Sequence, residues 1–164
     1  MDPSFLIGAD VPQLNGGSHY GAGQYLVAEA CEYKRSFLYL QPHIGVITNI
    51  DVDHLDYYYD LWDIEEAFTE FARAAAEDGR VLASSDDKNT RDVIEAADVP
   101  AITFGINDRK ADYRAERIWR AKVHSNFDVV CRGEKAGRFS TRLYGTHNVM
   151  NALSIWILCR EAGI

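Results

Sequence analysis

The fold is decided by one stretch, Ile44-Gly45-Val46-Ile47-Thr48-Asn49-Ile50-Asp51-Val52-Asp53-His54-Leu55-Asp56. It is an apolar run that ends abruptly in acidic and imidazole groups. A strand buried inside a parallel sheet has this pattern, because both of its faces are covered. Ligands of open α/β sheets bind beyond the carboxyl ends of the strands. We therefore expect a buried strand over residues 44–50, followed by side chains that face a binding site.

A second stretch ends in the same way, Tyr25-Leu26-Val27-Ala28-Glu29-Ala30-Cys31-Glu32. If the two strands are neighbours, Glu29 and the Asp53-His54 pair aim hard ligands at one point, which predicts a metal ion that holds a phosphate-bearing substrate. Two plainer interpretations stay open. Residues 51–56 also fit a polar loop, and Glu29 also fits a strand-end carboxylate with a local hydrogen bond. Because magnesium prefers oxygen ligands, His54 is equally a candidate general acid or base, or a helix cap.

The rest of the chain predicts an α/β protein, because strands and helices alternate over residues 25–104 and imply a mainly parallel, doubly wound sheet. A loop is expected over 9–24 and a small antiparallel hairpin over 127–144, around the polar turn 133–137. Expected strands are 4–7, 25–28, 44–50, 80–84, 101–104, 127–131 and 138–144. Expected helices are 33–40, one opened by Asp63 and stopped near Gly79, one capped by Asp86 or Asp87 that runs to Ala97, and a buried one over 146–162 that is apolar nearly all round.

Composition limits the class of protein. The 164 residues are enough for one ordinary domain with a real core, and the net charge of -8 argues against a nucleic-acid-binding surface. The three cysteines are far apart, which is typical of reduced thiols. The sequence contains no membrane-spanning run and no recognisable signal peptide, so we expect a cytoplasmic protein.

The stretch Tyr144-Gly145-Thr146-His147-Asn148-Val149-Met150-Asn151 opens the last helix. Asn148 and Asn151 are three residues apart and share a helix face, where two amides can recognise a purine edge. Helix capping by Thr146 beside a solvated asparagine pair explains the same pattern, and the residues by themselves favour it. The glycines at 16, 17, 21 and 23 are interpreted as turn residues, and no Gly-x-x-x-x-Gly-Lys-Ser/Thr loop is present.

Three segments together resemble the central domain of the Mur ligases. They are Val27-Ala28-Glu29-Ala30-Cys31-Glu32-Tyr33-Lys34-Arg35-Ser36-Phe37-Leu38, then Thr48 to Asp56, and then Gly145-Thr146-His147-Asn148-Val149-Met150-Asn151-Ala152. The last segment matches the family pattern Gly-x-His-Asn-x-x-Asn-Ala. The three occur in family order with family-like spacing, and the resemblance covers residues 4–164. It is strongest for the branch that adds L-alanine to UDP-N-acetylmuramate.

The resemblance implies an ATP-driven ligation of peptidoglycan precursor synthesis. In that reaction the muramoyl carboxylate is phosphorylated to an acyl phosphate, which the amine of L-alanine attacks. By resemblance, Glu29 and His54 match catalytic residues that bind Mg2+, and Asn49 faces the substrate pocket. His147, Asn148 and Asn151 match the residues around the adenine of ATP.

Departures from the family pattern shape further expectations. The phosphate-loop strand and helix, the N-terminal UDP-binding domain and the C-terminal domain are not found in residues 1–164, so we expect an incomplete ATPase domain that does not ligate alone. An exposed sheet edge would favour self-association. Several relatives carry a carbamylated lysine on the helix after the Asp-His motif, and Thr69 lies near that position here.

Three other functions remain open. One is the related ligase that recycles murein tripeptide. Another is a non-catalytic binding module descended from a Mur ligase. The third is a metal-dependent hydrolase that uses Asp51, Asp53, His54 and Asp56.

Overall fold

The computed structural model describes residues 1–77, 79–121 and 123–164. The chain divides into two compact units, Met1–Leu40 and Gln41–Ile164. The strands are β1 Ser4–Leu6, β2 Ser18–His19, β3 Leu26–Ala28, β4 Ile44–Ile47, β5 Arg80–Ser84, β6 Ala101–Gly105, β7 Tyr113–Ala121, β8 His124–Cys131 and β9 Glu134–Thr141. The α-helices are α1 Leu61–Glu77, α2 Lys88–Ala97 and α3 Thr146–Glu161.

The N-terminal unit holds a three-stranded sheet in the order β2-β1-β3, with β1 parallel to β3 and antiparallel to β2. The predicted loop over 9–24 contains β2 and a 3-10 helix, Pro12–Leu14. The predicted strand at 25–28 is present as β3, but Leu26 is 67% and Val27 is 51% exposed. The expectation of a buried strand is therefore wrong here. Residues 33–40 form a kinked 3-10 helix, Tyr33–Tyr39, rather than an α-helix.

The C-terminal unit holds a six-stranded sheet in the order β4-β5-β6-β7-β8-β9. The strands from β4 to β7 pair in parallel, and β7, β8 and β9 pair antiparallel. This confirms a mainly parallel α/β fold with an antiparallel part. The expectation that the strands ending at Glu29 and at Ile50 are sheet neighbours is wrong, because β3 pairs with β1 in the other sheet and β4 is the edge strand of this one among the described residues.

Helices cover both faces of the parallel strands. On one face, α1 contacts β4 and β5, and α2 contacts β5 and α1. A Cβ on Gly45 would lie 2.8 Å from the Cβ of Ala75, so glycine lets β4 and α1 approach closely. The other face is packed by α3. The hydrophobic core between the sheet and α3 consists of Leu82, Phe104, Tyr113, Ala115, Phe127, Val129, Val149, Leu153 and Ile157.

The helix ends differ in part from the expectations. The first helix begins at Leu61 rather than at Asp63, because the carboxylate of Asp60 accepts the backbone N–H of Asp63 at 3.0 Å. Asp87 caps α2 as predicted. The last helix is buried on one face and not all round, since Ile155 is 59% exposed. None of the helices in the described residues combines the length and apolar character that a membrane crossing requires.

The antiparallel part contains a strand that was not predicted, β7. The expected hairpin is present, but its turn is tighter than expected, because Arg132 and Gly133 both have positive φ, 48° and 90°. Two such residues make the twisted two-residue turn that suits hairpins, so β9 begins at Glu134 rather than at residue 138.

Candidate functional site

The segment that follows β4 is fixed by the start of α2. The carboxylate of Asp87 accepts the backbone N–H and the hydroxyl of Thr90, at 2.7 and 2.8 Å, and also the backbone N–H of Ile50 at 3.3 Å. The side-chain amide of Asn89 donates to the backbone carbonyl of Ile50 at 2.8 Å. Both polar groups of the Ile50 backbone are therefore held, which positions the residues on either side of it, Asn49 and Asp51.

The segment after β6 is held in a comparable way by Asp86. Its carboxylate accepts the backbone N–H groups of Ile106, Asn107 and Asp108 at 2.8, 3.0 and 2.9 Å. A Cβ on Gly105 would lie 2.7 Å from this carboxylate, so only glycine fits there without a shift. Three successive strand ends, those of β4, β5 and β6, thus form one hydrogen-bonded edge, the carboxyl edge of the parallel strands.

His54 lies at this edge in an uncommon conformation. Its φ is 53°, and its carbonyl accepts the backbone N–H groups of Tyr57 and Tyr58 at 2.8 and 2.9 Å. Its side chain is 32% exposed, and its Nδ1 lies 3.9 Å from a carboxylate oxygen of Asp53. Asp51, Asp53 and Asp56 around it are all exposed. Exposed carboxylate oxygens beside an imidazole suit a divalent cation, so the donor set of this segment fits Mg2+.

Glu29 follows β3 in the N-terminal unit and is exposed. Its carboxylate accepts the backbone N–H of Gly8 at 2.6 Å, as the interpretation of a local hydrogen bond expected. Because Glu29 and His54 belong to different units, a metal ion shared by the two stays a prediction. Asn49 is exposed, and its Oδ1 accepts the hydroxyl of Thr48 at 3.3 Å.

The start of α3 carries the other predicted residues. Gly145 is the N-cap, with φ 98°, and a Cβ there would lie 2.7 Å from the ring of His147. Capping by Thr146 was therefore the wrong expectation, because Thr146 is the first residue inside the helix. The amide nitrogen of Asn148 donates to the Tyr144 carbonyl at 2.7 Å and lies 2.9 Å from Nε2 of His147. His147 and Asn151 are exposed, and Asn148 is half-buried.

Thr69 is buried in α1, and its hydroxyl donates to the backbone carbonyl of Glu65 at 2.8 Å. The side chain of Thr69 is therefore uncharged and hydrogen-bonded within its own helix.

Sequence reasoning missed the residues that hold the site. Asp86 and Asp87 were considered only as caps of α2, and Asn89 was not considered. A signal was present, because the apolar strand Arg80–Ser84 also ends in acidic residues. A carboxylate at such a position is able to serve the neighbouring strand ends as well as its own helix.

The comparisons with known proteins agree with this architecture. Residues 10–159 match the family described as Mur ligase middle domain. The UDP-N-acetylmuramate–L-alanine ligase of Clostridium botulinum (strain Langeland / NCTC 10281 / Type F) is 42% identical over 155 residues, which cover 94% of this chain and 33% of that protein. The chain thus spans about a third of the length of the curated relatives that it matches.

Solved structures give the same result. The UDP-N-acetylmuramate-alanine ligase of Thermotoga maritima aligns with 99% of this chain and 36% of its own, at 25% identity and a TM-score of 0.82. The UDP-N-acetylmuramate:L-alanyl-gamma-D-glutamyl-meso-diaminopimelate ligase of Neisseria meningitides aligns with 99% of this chain and 54% of its own, at 25% identity and a TM-score of 0.83. A ligase of T. maritima solved in complex with ADP shares the fold, with a TM-score of 0.76 at 15% identity.

The strand order, the carboxyl edge and the sequence match point to one family of ligases that act in peptidoglycan synthesis. The chain therefore belongs to the Mur ligase family, as its middle domain.

Proposed function

We propose that this chain supplies the middle-domain part of the ATP-dependent ligase that adds L-alanine to UDP-N-acetylmuramate through an acyl phosphate. The similarity of 94% of the chain to alanine-adding ligases, at 42% identity, carries the proposal. The ligase that joins a murein tripeptide is the second candidate, because its structure from N. meningitides fits the chain equally well. In either case the protein would work in the cytoplasm.

The proposed roles follow the two predicted groups of residues. Glu29 and His54 would hold Mg2+, which supplies positive charge to the phosphate oxygens during phosphoryl transfer. The hydrogen bonds of Asp87 and Asn89 to Ile50 support this role, because they restrict the backbone that leads to His54. Asn49, next to Ile50, would contact the muramoyl substrate.

The start of α3 would bind the adenine. Gly145 lets the chain turn into the helix beside the His147 ring, and Asn148 is oriented by its bond to the Tyr144 carbonyl. Asn151 lies one turn further along the helix and is exposed to solvent. Two side-chain amides with donors and acceptors on one helix face are suited to the edge of a purine.

A titration of the 164-residue chain with Mg-ATP tests these roles. We expect binding at millimolar nucleotide, weakened by Asn148→Ala for ATP and ADP alike and unchanged by Gln13→Ala, which removes an exposed side-chain amide in the N-terminal unit. His54→Ala should remove the dependence on Mg2+. The absence of heat at millimolar nucleotide would instead support a non-catalytic module, and metal binding without nucleotide would support a hydrolase that uses the acidic residues around His54.

We also propose that residues 1–164 do not ligate by themselves, since the relatives are about three times longer. ATP-dependent formation of UDP-N-acetylmuramoyl-L-alanine by this chain would refute the proposal. Because β4 is an edge strand of the six-stranded sheet among the described residues, we expect self-association at high concentration. Light scattering that shows a monomer at high concentration would contradict that expectation.

A further inference from the structure

Positive charge is concentrated in the antiparallel part of the molecule. Eight of the seventeen lysine and arginine residues lie between Tyr113 and Tyr144, together with three acidic residues, in a chain of net charge -8. This region therefore differs in sign from the rest of the protein. None of the residues that the Mur ligase resemblance assigns to ATP, magnesium or substrate lies between Tyr113 and Tyr144.

Three of these cations surround a single carboxylate, that of Asp128 on β8. Its neighbours Phe127 and Val129 face the core beneath α3, so Asp128 lies on the opposite face of the sheet. Arg138 contacts its carboxylate at 2.9 Å, Lys135 at 3.4 Å, and Arg117 also pairs with it. The hydrogen bond from Arg138 lowers the pKa of Asp128, which keeps it charged. One negative charge against three positive ones leaves the cluster cationic.

A groove adjoins this cluster. It has a volume of about 450 Å³ and is lined by Ile106, Asn107, Arg109, Arg114, Ala115, Glu116, Arg117 and Ile118. Arg114 is paired with Glu116 at 2.8 Å. Arg109 forms no ion pair within residues 1–77, 79–121 and 123–164, and Arg117 shares Asp128 with two other cations. Two guanidinium groups on this groove are therefore incompletely neutralised.

The backbone directs Arg117 to this position. The pairing of β7 with β8 shifts register between Glu116 and Trp119, and Arg117 within this bulge has a φ of 47°. Bulges re-aim side chains and are enriched next to functional sites. A non-glycine residue with positive φ is uncommon and persists where its surroundings impose it. Arg117 lines the groove and pairs with Asp128, so one strained residue belongs to both features.

We propose that this groove binds a phosphate-bearing small molecule through Arg109 and Arg117 without a metal ion. The planar guanidinium donates paired hydrogen bonds that match phosphate oxygens, which makes arginine suited to this ligand class. A small anion fits better than a nucleic acid, because the net charge of the whole chain would repel a long polyanion. The site goes beyond the proposed ligase function and does not depend on it.

Calorimetric titration of the chain with inorganic pyrophosphate in EDTA tests the proposal. We expect saturable binding that Arg109→Gln weakens by about tenfold, the equivalent of roughly 1.4 kcal/mol. Arg160→Gln is the matched control, because it removes the same charge from an exposed position on α3. It should change the affinity by less than about twofold, since screened charges outside the groove contribute little. Equal weakening by both variants, or no binding at about 10 mM pyrophosphate, would overturn the proposal.

Two further measurements identify the ligand class and the geometry. Arg117→Lys keeps the charge beside Asp128 but loses the planar fork, so we expect weaker pyrophosphate binding in a protein that still folds. Binding that is unchanged by this substitution would contradict the role of Arg117.

A titration with poly-glutamate distinguishes the ligand classes. If the chain binds poly-glutamate but not pyrophosphate, and Arg109→Gln abolishes that binding, the phosphate ligand is overturned and an acidic protein partner is indicated. Because EDTA is present and nucleotide is absent, failure of the Mg-ATP site leaves this test unaffected.

Discussion

The parallel and antiparallel halves of the C-terminal unit use their carboxylates differently. At the carboxyl edge of the parallel strands, Asp86 and Asp87 accept hydrogen bonds mainly from backbone N–H groups. On the antiparallel strands, Asp128 is satisfied by the side chains of Arg117, Lys135 and Arg138. The first arrangement fixes the path of loops. The second holds three partly exposed cationic side chains around one buried carboxylate.

The carboxylates of the parallel half therefore fix backbone geometry, whereas the carboxylate of Asp128 holds positive charge. Backbone N–H donors belong to the chain itself, so their hydrogen bonds to Asp86 and Asp87 restrict the backbone at Ile50 and at residues 106–108. Arginine and lysine side chains are long and 50% to 65% exposed around Asp128, so they remain available to an anion from solution. Substitutions in the two halves should therefore have different consequences.

The largest loss of stability is expected for Asp128→Asn. The side chain of Asp128 is fully buried, and its replacement leaves three cations close together without their counter-charge. Urea denaturation should show a lower midpoint for this variant than for any other substitution considered below. A midpoint equal to that of the parent would show that the cluster contributes nothing to folding.

The stabilities of the parent and Asp128→Asn should also differ in their dependence on pH. The pKa of Asp128 is held below its usual value by the hydrogen bond from Arg138, so its stabilisation is present above the pKa of the unfolded chain and is lost as the pH falls through the folded value. The difference in unfolding midpoint between the parent and Asp128→Asn should therefore be constant near neutral pH and shrink below about pH 4. A difference that grows on acidification would contradict the assignment.

The next largest effect is expected at the entry to α3, which packs on both halves. Gly145→Ala should cost about 1–3 kcal/mol, because φ is 98° and the new Cβ would meet the His147 ring at 2.7 Å. Gly163→Ala is the matched control, since φ is 76° there but no atom lies within 4 Å. It should cost only the conformational part, about 1 kcal/mol. Equal costs for the two variants would argue against the contact with His147.

In the parallel half, Asp87→Ala should cost about 1–2 kcal/mol, because α2 loses its cap and Ile50 loses a hydrogen-bond acceptor. Hydrogen exchange should accelerate at the Ile50 and Thr90 amides. Asp92→Ala is the matched control, because it removes the same charge five residues further along, where Asp92 forms an exposed ion pair with Lys88. Equal acceleration at Ile50 in both variants would contradict the role of Asp87 as a positioning residue.

The smallest effect is expected for Arg80→Gln, at the opposite end of the sheet. Arg80 pairs with Glu161 at 2.9 Å, but its side chain is 52% exposed, so the loss should be below about 1 kcal/mol. Urea denaturation at low and high salt measures it. A larger loss that persists in high salt would show that this exposed pair matters more than screening allows.

Much of the fold was predictable because the spacing of apolar residues along the sequence indicates which side chains are buried. The strand Arg80–Ser84 and the Asp87 cap of α2 were predicted as found. The strand β7 was missed because its bulge interrupts the alternation of apolar and polar residues after Glu116. The separate N-terminal sheet was missed because Tyr25 to Ala28 has the same apolar pattern as a buried strand, although it pairs at a more exposed position.

For the site, the sequence indicated which residues carry the chemistry but not the contacts that position them. The residues around His54 and the start of α3 were singled out from their types and spacing, together with the family resemblance. Asp87 accepts a hydrogen bond from the Ile50 backbone N–H and Asn89 donates one to the Ile50 carbonyl, across 37 and 39 residues, and no local sequence pattern predicts such contacts. The cluster around Asp128 depends on strand register in the same way, since Asp128 pairs with Glu116 and Arg138 across two strands.

We propose that Glu29 and His54 bind the same divalent ion. Titration with Mn2+, a paramagnetic substitute for Mg2+, tests it by NMR line broadening in the parent and in Glu29→Gln. We expect the amide signals of Glu29 and His54 to broaden at the same Mn2+ concentration, and Glu29→Gln to suppress the broadening at His54. Broadening at His54 that is unchanged in Glu29→Gln would contradict it.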